Sequence, residues 1–257
     1  MNAIAKGAYG FAGEVVIVTG GAMGIGAGIA TIFAEAGAMP IIADIDAGKA
    51  RDQADALIAD GHLAGHVQLD LADEASIIAA HQEVLAAHGV PWALINNAGI
   101  QDRQLFLEGT AAEWDRTMAV NTRGVFLLSR EAARAMTATG KGGRIVHVAS
   151  AALIGALTQG HAAYAASKAA LLGLMRAMAL ELVEHGITVN TVLPGGVVTP
   201  GAMNAKGPEP LGPGRRRPPL GMSDPADIGT AALFFASPLA RRVTNQVLAV
   251  DGGWSVT

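Results

Sequence analysis

The chain of 257 residues has no cysteine. That excludes disulfide scaffolds, thiol nucleophiles, iron–sulfur clusters and cysteine zinc sites together. Charge is also scarce, at 16% of residues, and 18 Lys+Arg against 22 Asp+Glu leave a net charge of −4. Such a balance gives no general attraction to nucleic acid or anionic lipid, and neither partner is expected. Residues 1–14 lack the basic segment, long apolar core and cleavage site of a secretory signal, so a cytoplasmic location is expected. No proline- or serine-rich linker precedes residue 193 and no internal repeat is visible, which favours a single domain over residues 1–257.

What the chain has in quantity is small and aliphatic residues: 51% are hydrophobic and 33 are glycine. Short apolar runs at 15–19, 39–44, 67–70, 93–96, 144–149, 188–192 and 246–250 alternate with helix-like stretches near 24–36, 47–60, 73–88, 111–138, 161–185 and 225–236. Asp73, and Asp224 ahead of Pro225, are natural helix starts. Continuous apolar strands separated by helices predict a doubly wound, Rossmann-like α/β fold with a seven-stranded parallel sheet. Residues 15–34 carry no charge over the length of a membrane span, but five glycines predict a strand, a tight turn and a buried helix there instead.

Residues 194–223 break the pattern, holding most of the eleven prolines and the run Arg215, Arg216 and Arg217. A connection this long without regular structure reads as a substrate lid, with a plain surface loop as the alternative.

Thr19-Gly20-Gly21-Ala22-Met23-Gly24-Ile25-Gly26 lies where the first strand passes into the first helix. Glycines there let the backbone turn sharply and approach a pyrophosphate, while free N–H groups of the helix start supply donors. The spacing is TGxxxGxG rather than GxGxxG, and helix packing is the competing reason for these glycines. Asp44 ends the second strand, where a carboxylate can accept the adenosine ribose hydroxyls and repel a 2′-phosphate. Together with the absence of Arg or Lys from the turn, this favours NAD as cofactor. Asp44 also suits a turn cap, and Asp46 is a second candidate one turn position later.

Tyr164 and Lys168 stand at i and i+4 in a helix-like stretch, on one face and within reach of one ligand. A Lys ammonium and an oxidised nicotinamide beside a tyrosine both favour the phenolate, bringing a group of pKa about 10 toward use as a base. The same pair also suits a solvated helix face. Ser150 follows a strand at the end where open parallel sheets bind ligands, although a serine there also starts turns. His62 and His66 have helical metal-ligand spacing, but Gly61 and Gly65 disfavour a helix, and no metal is expected.

Taken together, these motifs resemble the short-chain dehydrogenase/reductase family over nearly the whole chain. TGxxxGxG with Gly20, Gly24, Ile25 and Gly26 resembles its cofactor turn, and Asn96-Asn97-Ala98-Gly99 its NNAG motif. Asp70, with Leu71, resembles the adenine contact. Asn121, Ser150, Tyr164 and Lys168 fall on the family's catalytic set. Pro194, Gly195, Val197 and Thr199 resemble the segment that holds the nicotinamide carboxamide, and Val250-Asp251-Gly252-Gly253 the closing strand and turn. The resemblance implies Tyr164 as acid/base, Lys168 on the nicotinamide ribose, Ser150 orienting the substrate oxygen and Asn121 helping to hold a relay water. No metal is required for such hydride transfer. It also implies a homo-oligomer, expected to be a homotetramer, for which the Ala-rich long helices offer close packing.

Three departures bear on the substrate. Fourteen positions separate Ser150 from Tyr164, one more than the resemblance implies, so the loop between them should bulge at Ile154–Gly160 and reshape one wall of the substrate pocket. Asn245 stands where glycine is usual, which Asn tolerates if the backbone is left-handed. The lid is rich in arginine and proline where a helical loop is usual. Arginines could clamp an anionic substrate, or be solvated, or meet another subunit. Gln101, His161 and Gly196 are further candidate pocket residues. They suit a sugar, polyol or related secondary alcohol, interconverted with its carbonyl. The rivals are a 3-oxoacyl thioester reductase of the same family and a non-catalytic NAD-binding sensor or scaffold.

Overall fold

The structure, a computed structural model, describes residues 9–203 and 205–256. Seven strands lie parallel in the order β3-β2-β1-β4-β5-β6-β7: β1 Val15–Thr19, β2 Met39–Asp44, β3 Gly65–Gln68, β4 Ala93–Asn96, β5 Gly143–Val148, β6 Ile187–Pro194 and β7 Val247–Val250. The order reverses direction between β1 and β4, and the crevice left there at the strands' carboxyl ends is where such sheets bind ligands. Helices α1 Gly24–Glu35, α2 Ala47–Ala59 and α8 Pro225–Ala236 cover one face. Helices α3 Glu74–His88, α4 Ala111–Met118, α5 Val125–Thr139 and α6 Ala162–Leu182 belong to the other side. A four-residue helix α7, Pro200–Met203, follows β6.

Strand alternation divides the core. Ile17, Leu94, Ile145 and Val189 point toward Ile77, Leu128, Met136 and Met175. Val16, Val18, Ile95 and Val146 point the other way, toward Ile29, Phe33, Ile228 and Leu233. Burying each large aliphatic side chain contributes about 1.5–3 kcal/mol, so both faces must be covered. Gly28 packs helix to helix: a Cβ there would stand 2.4 Å from Pro225 Cβ. Close helix packing thus accounts for Gly28, while the turn accounts for its neighbours. Among the described residues no helix is long and apolar enough to cross a membrane.

Several boundaries differ from the sequence expectation. β3 runs two residues earlier, because its pairing with β2 ends at Asp44↔Gln68 and Asp70 Oδ1 then accepts from Ala72 N at 2.8 Å, turning the chain. The single helix expected over 111–138 is two helices joined by a π-turn, Ala119–Gly124. Gly124 allows this close approach, since a Cβ there would lie 2.2 Å from Leu71 O. α6 ends at Leu182 and passes through a 3-10 turn to left-handed Gly186 at φ 70°. Segment 194–223 is not wholly irregular, because Pro194 completes β6 and short turns form at α7 and at Pro213–Arg215. His66 lies on β3, so it does not share a helix face with His62.

Candidate active site

The glycine turn joins β1 to α1 with Gly20 at φ 62° and Gly24 at φ 56°, left-handed conformations that glycine adopts without penalty. Gly26 is needed for space, as a Cβ there would lie 1.9 Å from Gly20 O. Met23 precedes α1 without a side-chain cap, and the first turn, containing Ile25, carries no acidic residue. Its N–H donors are therefore not taken by a capping side chain and suit a diphosphate. Thr19 fixes the neighbouring loop: its Oγ1 accepts from Asn97 N and Ala98 N, each at 3.0 Å, while Asn97 Nδ2 donates to Thr19 O at 2.9 Å.

Asp44 Oδ2 accepts from Ala22 N at 3.2 Å, which places the carboxylate against the glycine turn. Its other oxygen accepts from Asp46 N at 3.1 Å, so the turn-capping role is present as well. Asp46 itself is spent on α2, accepting from Lys49 N and pairing with Lys49 Nζ at 2.8 Å. Asp70 follows β3, two residues beyond the Gln68 that pairs with Asp44, and Leu71 is buried. On the far side of the crevice, Thr199 packs on Gly24, where a Cβ would stand 3.2 Å from Thr199 Cβ. Gly195 is pressed on Asp251, and Gly196 on Met222 and Trp254, while Val197 bridges to Ser223. A Cβ on either of these glycines would sit under 3.0 Å from its neighbour.

The four residues expected to act together do converge. Tyr164 and Lys168 lie on α6 with Lys168 Nζ 6.0 Å from the tyrosine ring centroid, and Ser150 faces the Tyr164 phenol. A methyl placed on Gly99 would stand 3.1 Å from Asn121 Oδ1 and 3.2 Å from Lys168 Nζ, so Gly99 lies between them. Asn121 sits in the π-turn, a feature that recurs at functional sites. Its amide is committed: Oδ1 accepts from Ile100 N and Nδ2 donates to Ile100 O, both at 2.9 Å, and Nδ2 also reaches Ser167 Oγ at 3.0 Å.

Burial governs the protonation of the set. Lys168 Nζ donates to Val148 O at 2.9 Å, and desolvation pulls its pKa down to about 8. Burial pushes the Tyr164 phenol up, and the Ser150 hydrogen bond opposes this only in part. In the free protein removal from water thus raises the phenol, and the shift toward use as a base expected from Lys168 and the oxidised nicotinamide together has to work against that burial. His147, which sequence reasoning passed over, is fully buried on β5 with Nδ1 3.2 Å from Asn96 Nδ2. Burial and then the Lys168 charge hold it neutral, at a pKa of about 3.

His161 precedes α6 with its ring centroid 5.2 Å from that of Tyr164 and Nδ1 2.8 Å from Thr158 Oγ1. Burial, with Arg103 nearby, lowers its pKa and keeps it neutral. Gln101 is half-buried after β4, whereas Arg215, Arg216 and Arg217 are exposed. Where the bulge is expected, at Ile154–Gly160, a 3-10 turn, Ala151–Ile154, gives way to a loop with Gly155 at φ 128° and Gly160 at φ 81°.

A family model described as enoyl-(acyl carrier protein) reductase matches residues 20–255. Over 247 residues the chain is 39% identical to the 2,5-dichloro-2,5-cyclohexadiene-1,4-diol dehydrogenase LinX of Sphingobium indicum, covering 95% of this chain and 97% of that relative. The chain belongs to the short-chain dehydrogenase/reductase family. Within this family it is also 36% identical to the D-threitol dehydrogenase of Mycolicibacterium smegmatis, with 95% and 94% of the two chains covered. A solved structure from Beutenbergia cavernae, provisionally described as an NAD(P)-dependent gluconate 5-dehydrogenase with NADP at low occupancy, superposes with a TM-score of 0.86. It has 35% identity and covers 97% of this chain and 99% of its own. As a short-chain dehydrogenase, the chain is an oxidoreductase of the alcohol dehydrogenase type with a fold built for a nicotinamide cofactor.

Proposed function

We propose that this chain is an NAD-dependent dehydrogenase that interconverts a secondary alcohol and its carbonyl, with Tyr164 as acid and base. The observation that carries the reading is the half-buried Tyr164 with the Lys168 ammonium 6.0 Å from its ring and Ser150 facing its phenol. The nicotinamide, when bound, supplies the hydride acceptor or donor. In oxidation, Ser150 holds the substrate oxygen while Tyr164 Oη takes its proton, as the hydride leaves the carbinol carbon and the C=O bond forms. Lys168 spends one N–H on Val148 O, leaving two donors for the ribose hydroxyls and a charge that stabilises the phenolate. Asn121, its amide already committed, braces the loop after β4, so a relay water there rests on main-chain atoms of the π-turn.

The uncapped start of α1 and the Gly20–Gly24 turn suit the diphosphate, and Asp44 suits the adenosine ribose hydroxyls. Asp70 and Leu71 flank the adenine; Asn97, Ala98 and Gly99 line the path to the nicotinamide, and Pro194, Gly195, Val197 and Thr199 its carboxamide. NAD is preferred because a 2′-phosphate would meet the Asp44 carboxylate, while Lys49, a cation near Asp44, is held by Asp46. The same point weighs against a 3-oxoacyl thioester reductase, despite the acyl carrier protein in the family model's description.

Neutral His161 and Gln101, with Gly196, suit a polyol, sugar or cyclic diol, and the names of the diol and threitol relatives point the same way. Residues 194–223 act as the substrate lid. The molecule is a homotetramer, for which exposed Phe126 and Leu180 on α5 and α6, and Val247 and Leu248 on β7, supply apolar faces. Light scattering that returned a monomer of 26.0 kDa would refute that assembly.

The test is reduction of NAD⁺ and NADP⁺, separately, across acyclic polyols, sugar acids, cyclic diols and 3-hydroxyacyl thioesters. Turnover is expected with NAD⁺ and a diol or polyol. Tyr164→Phe should lower kcat by about 100- to 10,000-fold, the usual worth of a general acid/base, with NAD⁺ binding retained. A preference for NADP⁺ would overturn the reading of Asp44.

A further inference from the structure

Residues 205–208 and 211–214 have little internal hydrogen bonding of their own. Pro208, Pro210 and Pro213 have no N–H to offer, so the carbonyls of this stretch need donors from elsewhere. Arg103 provides three of them within four lid residues. Its main-chain N–H donates to Lys206 O at 2.8 Å, Nε to Pro208 O at 2.8 Å and Nη2 to Ala205 O at 3.1 Å. Among the described residues no carboxylate forms an ion pair with Arg103, so its charge is directed at these carbonyls.

The neighbouring Asp102 works in the same place. Its Oδ1 accepts from Lys206 N at 3.0 Å, while its other oxygen pairs with Arg116 on α4. Across the cleft the loop before Tyr164 holds the other end, with Gln159 N on Leu211 O at 2.7 Å and Gly214 N on Leu157 O at 2.9 Å. The two walls are joined by Gln104 N on Gly160 O at 3.0 Å, beside His161. Gly207, at φ 113°, fits so closely that a Cβ would lie 2.0 Å from Arg103 O. The extra residue between Ser150 and Tyr164 thus lies in a loop that docks the lid.

We propose that Arg103 is the latch of the substrate lid, a positioning residue that holds residues 205–208 against the wall after β4 and so shapes the pocket beside His161 and Tyr164. The lid is closed by the chain's own bonds, and substrate enters when the latch yields. The function of the latch rests on the reading of residues 194–223 as a substrate lid, whereas its mechanical part does not depend on activity.

The experiment is tryptic cleavage of the full-length protein at Lys206–Gly207, followed by intact mass, alongside steady-state kinetics and NAD⁺ titration. Arg103→Ala should speed this cleavage about tenfold, the equivalent of one lost charge-assisted hydrogen bond, and raise KM by a similar factor. NAD⁺ affinity and the thermal transition should stay near wild type. Arg103→Lys should fall between, since an ammonium cannot serve two carbonyls in a fixed fork. Gly207→Ala attacks the same contact from the lid side, and it should match Arg103→Ala even if that variant folds poorly. Cleavage at Lys206 unchanged in both alanine variants would overturn the latch. Faster cleavage in a protein that oxidises no alcohol would sink the dehydrogenase reading and leave the latch standing.

Discussion

The glycine turn after β1 and the proline-rich segment after β6 both lie at the carboxyl end of the sheet, but they are held by opposite means. The turn is fixed by steric exclusion: left-handed Gly20 and Gly24, and a Gly26 with no room for a methyl, leave the backbone one path. Segment 205–214 is fixed by borrowed donors, chiefly Arg103 and the 157–159 loop. A surface for a constant ligand, the cofactor diphosphate, can be rigid at no functional cost. A wall that must admit a substrate needs bonds that break singly, and hydrogen bonds worth about 1 kcal/mol each meet that need.

The sharpest way to break the comparison is on the rigid side. Gly26→Ala places a Cβ 1.9 Å from Gly20 O and 2.7 Å from Asn97 Nδ2, and both are anchored. It is expected to lower stability by about 3 kcal/mol or more, by overpacking, and to weaken NAD⁺ binding about 100-fold. Chemical denaturation and calorimetric titration would check it. A variant that bound NAD⁺ normally would show that the turn is as yielding as the lid.

A smaller effect is expected at Lys168, on the helix between the two regions. Burial lowers its pKa from 10.5 to about 8, so between those values the unfolded chain holds a proton that the folded chain does not. Stability should therefore rise with pH across that window, and below pH 8 the fold carries the cost of a buried ammonium. Lys168→Met should lose activity yet gain about 2 kcal/mol at pH 7, after the lost Val148 bond is discounted. The gain should vanish toward pH 10.5. Urea melts at pH 7, 9 and 10.5 would test this, and a loss of stability at pH 7 would refute it.

The smallest effect lies away from both regions. Asn245 has φ 58° between β6 and β7 and donates its main-chain N–H to Val189 O at 2.8 Å. Asn245→Ala should cost about 1 kcal/mol and Asn245→Gly almost nothing, because only the left-handed backbone is at issue. Equal melts for the two would remove that explanation.

Much of this was legible in the chain itself. Continuous apolar runs and capped, Ala-rich stretches identified seven strands and the main helices, because a strand buried on both faces admits little else. Asn245 stands where the family has glycine, and its φ of 58° is the left-handed backbone in which asparagine can replace glycine. The i, i+4 spacing put Tyr164 and Lys168 on one helix face. The π-turn at Ala119–Gly124 was invisible, since one inserted residue scarcely alters helical periodicity, yet it carries Asn121. Arg103 gave no signal either: its partners lie about a hundred positions away and are backbone carbonyls, which no side-chain pattern encodes.

The sequence by itself determined the sheet, the glycine turn and the shared helix face of Tyr164 and Lys168, because these depend on local backbone freedom, burial pattern and short spacings. Only the tertiary structure decided that the Tyr164 phenol is raised by burial, that Asn121 is spent on Ile100, and that Arg103 donates to the carbonyls of Ala205 and Pro208. Desolvation and long-range hydrogen bonds arise from what surrounds a residue in space, and the chain meets those surroundings only once it has folded.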